Sequence, residues 1–466
     1  MKRLLGVLLC TVLMLGSGAG IASAQFYDWP GDRGQALPPS PYRCGPYNNW
    51  YAFLSEGQIM EFDIRVDRPG AWIEFNIDIP GSTSRQSSLF SGYIEDSIHL
   101  EYRVPEGASG VHSFDLYNWE WHKMTFAWTA TDRLDMDGRI ERVAGDNRYE
   151  TALSASQWGW GSDEATTVVV ATGSKYADAL ASSSLAGIND CPILLTRSSY
   201  NWAETYRLLE ELDRLGAEKV YLIGGMSVVP QELATRIETA ENGLQDPNST
   251  ATLDWVGATV ERIGGSDRYQ TAALVAEESV EQLEANGSFN GSVFIASGEK
   301  FADSLAAAPY SAATGMPLLL VRRWTTPQVT HDTLQSIVAS DAIVVGGTSV
   351  VSPITVDELG IDSMRIAGTD RYKTSLALTE YALAEGWGDI SVYGLATGYT
   401  YPDSLPGGAA TAHNGGVLLL TPPNTLSNDA ALHLNGNKTD IGSIPVFGGI
   451  GAVTGVVTGE VHFFIQ

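Results

Sequence analysis

Three Arg-Tyr pairs carry the most suggestive chemistry in this chain: Arg148-Tyr149, Arg268-Tyr269 and Arg371-Tyr372. A guanidinium is a rigid planar fork of donors that can grip a carboxylate or phosphate at two points, and the adjoining tyrosine adds a ring face and a hydroxyl. Each pair lies in the same block: Arg142-Val-Ala-Gly-Asp-Asn-Arg148-Tyr149-Glu-Thr151, Arg262-Ile-Gly-Gly-Ser-Asp-Arg268-Tyr269-Gln-Thr271 and Arg365-Ile-Ala-Gly-Thr-Asp-Arg371-Tyr372-Lys-Thr374. Asp146, Asp267 and Asp370, just before the arginines, are expected to cap a helix that opens there or to pair ions between modules. The arginines themselves stand open between that structural role and ligand recognition. A second set of carboxylates, Asp178, Asp303 and Asp403, ends the blocks Ala171-Thr-Gly-Ser-Lys-Tyr-Ala-Asp178, Ala296-Ser-Gly-Glu-Lys-Phe-Ala-Asp303 and Ala396-Thr-Gly-Tyr-Thr-Tyr-Pro-Asp403. Lying five residues after a glycine turn, where a helix starts, they are read as structural, serving the helix dipole.

The elements that must position these groups repeat as well. Fourteen residues after each of those aspartates comes Pro192-Ile-Leu-Leu-Thr, Pro317-Leu-Leu-Leu-Val or Val417-Leu-Leu-Leu-Thr, and then Val220-Tyr-Leu-Ile-Gly224-Gly225, Ala342-Ile-Val-Val-Gly346-Gly347 or Pro445-Val-Phe-Gly448-Gly449. Four blocks in one order, three times over, define three homologous modules of about 100 residues. Short apolar runs without alternation, such as Thr167-Val-Val-Val-Ala, predict strands of a parallel sheet buried on both faces. Helices are expected over 176–188 and 202–215, the latter stopped by Gly216. Alternating β and α at this spacing is a small doubly wound α/β module. The polar stretch 241–254 reads as a linker. The bounds are therefore 138–254 for module one with its linker, 255–360 for module two and 361–466 for module three.

These blocks resemble the cell-wall-binding repeat type 2 family over residues 140 to about 458. The resemblance implies three Rossmann-like or flavodoxin-like modules in a pseudo-threefold ring that anchors a surface or S-layer-associated protein of a Gram-positive cell noncovalently to an anionic wall polymer. It implies binding rather than catalysis, with Arg148, Tyr149, Arg268, Tyr269, Arg371 and Tyr372 as the polymer-binding residues. The modules are not identical: Asp146-Asn147 stands where the others have Ser266-Asp267 and Thr369-Asp370, and the second block carries Phe301 and Pro402 in modules two and three.

Residues 25–137 are a different kind of domain, with 20 of the chain's 44 Phe, Trp and Tyr. Tyr51-Ala-Phe-Leu-Ser, Ile59-Met-Glu-Phe-Asp-Ile-Arg-Val, Trp72-Ile-Glu-Phe-Asn-Ile-Asp-Ile, Ile98-His-Leu-Glu-Tyr-Arg-Val and Met124-Thr-Phe-Ala-Trp-Thr alternate with period two, so an all-β sandwich or jelly roll is expected. Trp119-Glu-Trp121 is read as core packing in preference to a sugar platform. Lys2-Arg3, the apolar run Leu4 to Leu15 and Ala22-Ser-Ala24 predict a signal peptide over 1–24, hence secretion. No later run is long enough to predict a transmembrane segment.

Of 466 residues, 28 are Lys or Arg against 55 Asp or Glu, a net charge of −27 that argues against nucleic acid as partner. Cys10, Cys44 and Cys191 form no CxxC, and the seven histidines show no HExxH or HxH spacing, so neither metal nor redox chemistry is expected. A bridge between Cys44 and Cys191 stays open. The Gly-Gly turns lack GxGxxG and GxxxxGK[ST], leaving no cofactor indicated. An acidic chain can still hold an anionic polymer through backbone N–H groups at strand-Gly turns, helix N-termini and local arginines. The expectation is a nonenzymatic anchoring protein whose N-terminal domain meets a glycan or protein ligand. The alternative is a cell-wall or glycan hydrolase with acid/base carboxylates among Glu74, Glu101 and Glu120.

Overall fold

The computed structural model describes residues 139–465 apart from 241–243, 246–251 and 254, together with seven strands between 47 and 131. The chain divides into two compact units, one built on Gly138–Val453, the other holding the N-terminal strands and Thr454–Phe463. The signal region, Cys44, Trp119, Glu120 and Trp121 lie outside the described residues.

The N-terminal strands pair antiparallel in two sheets. Tyr47–Leu54, Gly110–Asn118, Ala71–Asp78 and Ser87–Ile94 make one in that order, and Ser97–Arg103, Ile59–Val66 and Met124–Thr131 the other. Alternation puts Ile73, Phe75 and Ile77 on one face of their strand, and all three are fully buried. Five of the seven strands are the alternating runs expected from sequence; Ser87–Ile94 and Gly110–Asn118 are additional.

Each repeat in the larger unit starts with an opening strand: Ile140–Val143, Thr259–Ile263 or Asp362–Ile366. An opening helix follows, Arg148–Gly159, Arg268–Ala285 or Arg371–Glu385. Then come a central strand (Thr167–Thr172, Ser292–Ser297, Asp389–Thr397), an edge strand (Ile193–Thr196, Leu318–Val321, Gly416–Thr421) and a third strand (Lys219–Ile223, Asp341–Val345, Ile444–Phe447). The central strands are apolar on both faces because both are covered: Val168, Val169, Val170 and Ala171 have no exposed surface.

The sheets do not follow the repeat bounds. In each four-stranded parallel sheet the order is edge, central, third, and then the opening strand of another repeat. Thr259–Ile263 of module two pairs with Lys219–Ile223 of module one, and Asp362–Ile366 of module three with Asp341–Val345 of module two. Ile140–Val143 of module one pairs with Ile444–Phe447 of module three, which closes the cycle across some 300 residues of chain. No repeat completes a sheet alone.

Helices from the three repeats also pack on one another. Ser183–Ile188 meets Ala308–Thr314, and Ser404–His413 meets both of these and Arg148–Gly159. The closest approach is at Gly187, where an added Cβ would lie 1.8 Å from the Ala312 carbonyl oxygen. Backbone cannot yield as a side-chain tip can, so Gly187→Ala is expected to cost 3 kcal/mol or more, on the order of a severe overpacking change. Urea unfolding of the full chain would read this as a lowered midpoint; an unchanged midpoint would mean that the two helices stand further apart.

Sequence periodicity misses some breaks. The helix expected over 176–188 is two helices, Tyr176–Ala181 and Ser183–Ile188, with the Ser182 hydroxyl donating to the Ala179 carbonyl at the junction (2.8 Å). The stretch read as a linker contains paired two-residue strands, Leu244–Gln245 and Thr252–Leu253. Trp202–Arg214 ends as expected, with Gly216 in the left-handed region at φ 69°.

Candidate functional site

The repeated Arg-Tyr block can be resolved residue by residue. Its first arginine holds the preceding sheet: Arg142 Nη1 donates to the Gly448 carbonyl (2.7 Å), Arg262 Nη1 to Gly224 (3.0 Å) and Val229 (2.9 Å), and Arg365 Nη1 to Gly346. Gly448, Gly224 and Gly346 begin the Gly-Gly turns that end the third strands, so the arginine locks each exchanged strand in place. Burial lowers the Arg262 and Arg365 pKa values. The glycine of the block is required by close approach, since a Cβ at Gly145, Gly265 or Gly368 would sit 2.3–2.5 Å from the side chain five residues on. The closing threonine accepts from that glycine's N–H, at 3.2 Å for Thr151, 3.1 Å for Thr271 and 2.9 Å for Thr374.

The cap residues need one correction. Asp267 and Asp370 accept from the two N–H groups that open their helices, all four bonds being 3.0 Å. In module one this acceptor is Asn147, with bonds of 2.9 and 3.2 Å from Tyr149 and Glu150, and not Asp146, which is exposed. Asn147 is the residue in register with the other two caps, and an amide oxygen caps as well as a carboxylate.

The second arginines converge on an aromatic hub. Arg148 Nη1 donates to the Gly173 carbonyl (2.6 Å), Arg371 Nη1 to Gly398 (2.6 Å), and Arg268 Nη1 to Gly298. Each guanidinium also lies against a ring from another repeat: Arg148 on Tyr401 at 5.9 Å, Arg268 on Tyr176 at 5.6 Å, Arg371 on Phe301 at 5.5 Å. The three rings pack on each other with centroids 5.7, 5.9 and 5.7 Å apart. Arg148 is exposed, and Arg268 and Arg371 are half-buried. One guanidinium nitrogen of each is thus committed to the fold, while each arginine as a whole keeps some exposed surface.

The second-block carboxylates lie against the Gly-Gly turns, where a Cβ at Gly224, Gly346 or Gly448 would come within 2.6–3.2 Å of Asp178, Asp303 or Asp403. Asp178 and Asp303 begin short helices, Tyr176–Ala181 and Phe301–Ser304, and Asp403 directly precedes Ser404–His413. Burial raises all three pKa values. Hydrogen bonds from Thr271 and Thr374, and the charges of Arg268 and Arg371, oppose the rise at Asp178 and Asp303. Asp403 has only Arg148 against it and is pushed up to about 6. Every carboxylate therefore faces the arginine of another repeat, in the same cyclic order as the strands.

The motif tyrosines serve packing as well. Tyr149, Tyr269 and Tyr372 lie over Gly173, Gly298 and Gly398, where a Cβ would come within 2.5–2.8 Å of the ring. Beyond them is a set of groups that the motifs did not single out. Arg197 stacks on Tyr149 at 4.7 Å and Arg322 on Tyr269 at 5.1 Å, both just past an edge strand, where module three has Pro422. Their recurrence in only two repeats hid them, whereas the hub ring, present at Tyr176, Phe301 and Tyr401, was visible in the second block.

A family-level comparison fits this geometry. The model of the Cell wall binding domain 2 (CWB2) family matches residues 142–234, 262–356 and 365–458. The chain belongs to the CWB2 family. Each CWB2 match starts within or at an opening strand, so the sequence repeat straddles two sheets. The chain is 30% identical over 294 residues to N-acetylmuramoyl-L-alanine amidase LytC of Bacillus subtilis (strain 168), covering 63% of this chain and 52% of that protein. It is 27% identical over 235 residues to the amidase enhancer of the same organism, covering 50% of this chain and 28% of that one. The chain thus spans about half the length, or less, of these curated relatives. Among solved structures, Cwp8 from Clostridium difficile matches with TM-score 0.58 at 21% identity, over 70% of this chain and 52% of that chain. Cwp6 from the same organism matches with TM-score 0.57 at 19% identity, over 89% and 68%. These two share the fold.

Outside the CWB2 repeats, Glu74 is half-buried and accepts from Asn76 Nδ2 at 2.8 Å, and Glu101 lies in the strand Ser97–Arg103. Cys191 is a buried free thiol whose pKa burial raises. His413 Nδ1 is 2.6 Å from Asp190 Oδ1 and His433 Nδ1 3.1 Å from the Tyr393 hydroxyl, so both make contacts within the CWB2 unit. Among the described residues no cluster of His, Cys, Asp or Glu could hold a metal ion, and no helix is long and apolar enough to cross a membrane.

Proposed function

We propose that this protein is a secreted, nonenzymatic surface protein held on the cell wall by its three CWB2 repeats, which bind an anionic wall polymer through Arg148, Arg268 and Arg371 with Tyr149, Tyr269 and Tyr372. Residues 25–137, as a β-sandwich, are displayed for contact with a glycan or protein. The observation that carries the reading is the cyclic hub: three arginines, each with its guanidinium fixed by one glycine carbonyl and one ring, and each partly exposed as a residue. Closure of the strand cycle supports a pseudo-threefold ring of Rossmann-like modules, a body rigid enough to hold three charges at fixed spacing. A repeating anionic chain meeting such a body gains from effective concentration, so three weak contacts act as one stronger contact.

The arginines carry fold and binding together, and the test must separate the two. Full-length protein would be sedimented with isolated walls after changing Arg148, Arg268 and Arg371 to Gln, singly and together, with thermal unfolding followed in parallel. Each single change is expected to weaken retention about fivefold and the triple change about a hundredfold, as multiplying contacts require. The matching Arg→Lys triple should recover part of the loss because charge remains while the fork is gone. Retention that tracks the melting temperature alone, with Lys no better than Gln, would make these arginines structural.

A further inference from the structure

The three repeats differ most in the loop that leaves the edge strand. In module one the loop arginine is neutralised: Arg197 Nε donates to both oxygens of Glu204, at 2.8 and 2.6 Å. Module three has Pro422-Pro423-Asn424 there and no charge. Module two has Arg322-Arg323-Trp324, and among the described residues neither arginine is ion-paired. The position of Glu204, three residues past the cap of its helix, is occupied in module two by Thr330, which is buried and donates to the Leu320 carbonyl. The carboxylate that pairs the loop arginine in module one therefore has no counterpart at the same helix position in module two.

What remains is a prepared surface. Trp324 is 60% exposed, and the Arg323 guanidinium lies over its ring at 4.5 Å, which steadies the indole and leaves it open to solvent. Arg323 Nε is buried with no hydrogen-bond partner. The loop backbone is pinned on both sides: Arg323 N donates to Glu299 Oε2 (3.0 Å), and the Arg323 carbonyl accepts from Ser352 N (2.9 Å) and the Thr355 hydroxyl (2.8 Å). The neighbouring Thr326 N–H donates to Glu358 Oε2 at 2.7 Å. One oxygen of each nearby carboxylate thus accepts from a backbone amide, and neither carboxylate is ion-paired with Arg322 or Arg323 among the described residues. Little conformational freedom is left to lose when a ligand arrives.

We propose that Arg322, Arg323 and Trp324 form a saccharide subsite for a sugar unit bearing a carboxylate or a phosphate. The indole packs against the apolar face of the ring and the two guanidiniums receive the anion. This deepens the wall-anchoring reading and rests on it: the subsite would be one place where the polymer is recognised as a sugar and not only as a charge.

The test uses the full chain and two readouts. The first is retention on isolated walls. The second is quenching of protein fluorescence by three probes: trigalacturonate for the carboxylate source, poly(glycerol phosphate) for the phosphate source and chitotriose as the uncharged control. At least one anionic probe is expected to quench, Trp324→Phe to shrink the quench amplitude, and Trp324→Ala or the pair Arg322→Gln with Arg323→Gln to weaken both that binding and wall retention roughly tenfold. Trp324 is exposed, so unfolding of Trp324→Ala should match the parent. If the parent sediments with walls and the loop variants do so equally well, or if chitotriose binds as tightly as both anionic probes, the subsite is wrong while anchoring stands. If the parent itself fails to sediment, the anchoring reading falls and the subsite with it.

Discussion

Val143→Asp is expected to unfold the third repeat before the first, although Val143 belongs to the first in sequence. Its strand completes the sheet of module three, paired with Ile444–Phe447, and Val143 itself is only 5% exposed. A carboxylate there would be buried without a partner, beside a core that includes the fully buried Val446 and Phe447. A buried unpaired charge, together with the lost valine, costs about 3–5 kcal/mol. The effect is specified by location as well as size. Hydrogen exchange should show protection lost at 444–447 and 416–421 at lower denaturant than at 167–172 and 193–196. The matching change Ile263→Asp should instead expose 219–223 of module one, because that strand is its partner. Loss of protection confined to the repeat that carries each substitution would contradict the strand exchange.

Asp403→Asn is expected to stabilise the protein at neutral pH. Burial raises this carboxyl from 3.8 to about 6, against the opposing pull of Arg148. A raised aspartate value means that the folded chain binds the proton more tightly than the unfolded chain. The stabilisation is therefore complete below about pH 4 and is lost as the pH rises through about 6. At 1.36 kcal/mol for each tenfold change in proton affinity, the loss amounts to about 3 kcal/mol by pH 7. An asparagine cannot ionise and should keep most of that stability. Asp178 and Asp303 shift in the same direction, but Thr271 and Thr374 donate to them and oppose the rise. Urea midpoints at pH 4.5 and 7.5 would check this: the parent should lose stability over the interval and the Asn variant should lose markedly less. An Asn variant weaker than the parent at pH 7.5 would mean that the ionised carboxylate is needed against Arg148.

The repeats and their strands were legible because a parallel strand buried on both faces leaves an unbroken apolar run, as at Val168 to Ala171. The partner of an opening strand was not, since periodicity reports which face is buried and is silent on which strand lies alongside. Ile140–Val143 therefore gave no hint of Ile444–Phe447. Among the N-terminal strands, Ser87–Ile94 and Gly110–Asn118 escaped because serines and glycines blur their alternation. As the acid of its block Asp146 is the expected cap, but register with Asp267 and Asp370 selects Asn147. Arg142, Arg262 and Arg365 were visible as repeated residues and yet had no role until their carbonyl partners in the preceding sheet were seen. The paired block of Arg148, Arg268 and Arg371 was legible as chemistry; the rings beneath them come from other repeats, a relation that only the closed cycle supplies.

The most direct measurement is sedimentation of the full-length protein with isolated cell walls before and after their anionic polymers are extracted, at low and high salt. Anchoring through arginines predicts retention on intact walls, weakening as salt screens the charges, and loss after extraction. Equal retention on extracted walls would contradict an anionic polymer as the ligand of the CWB2 repeats.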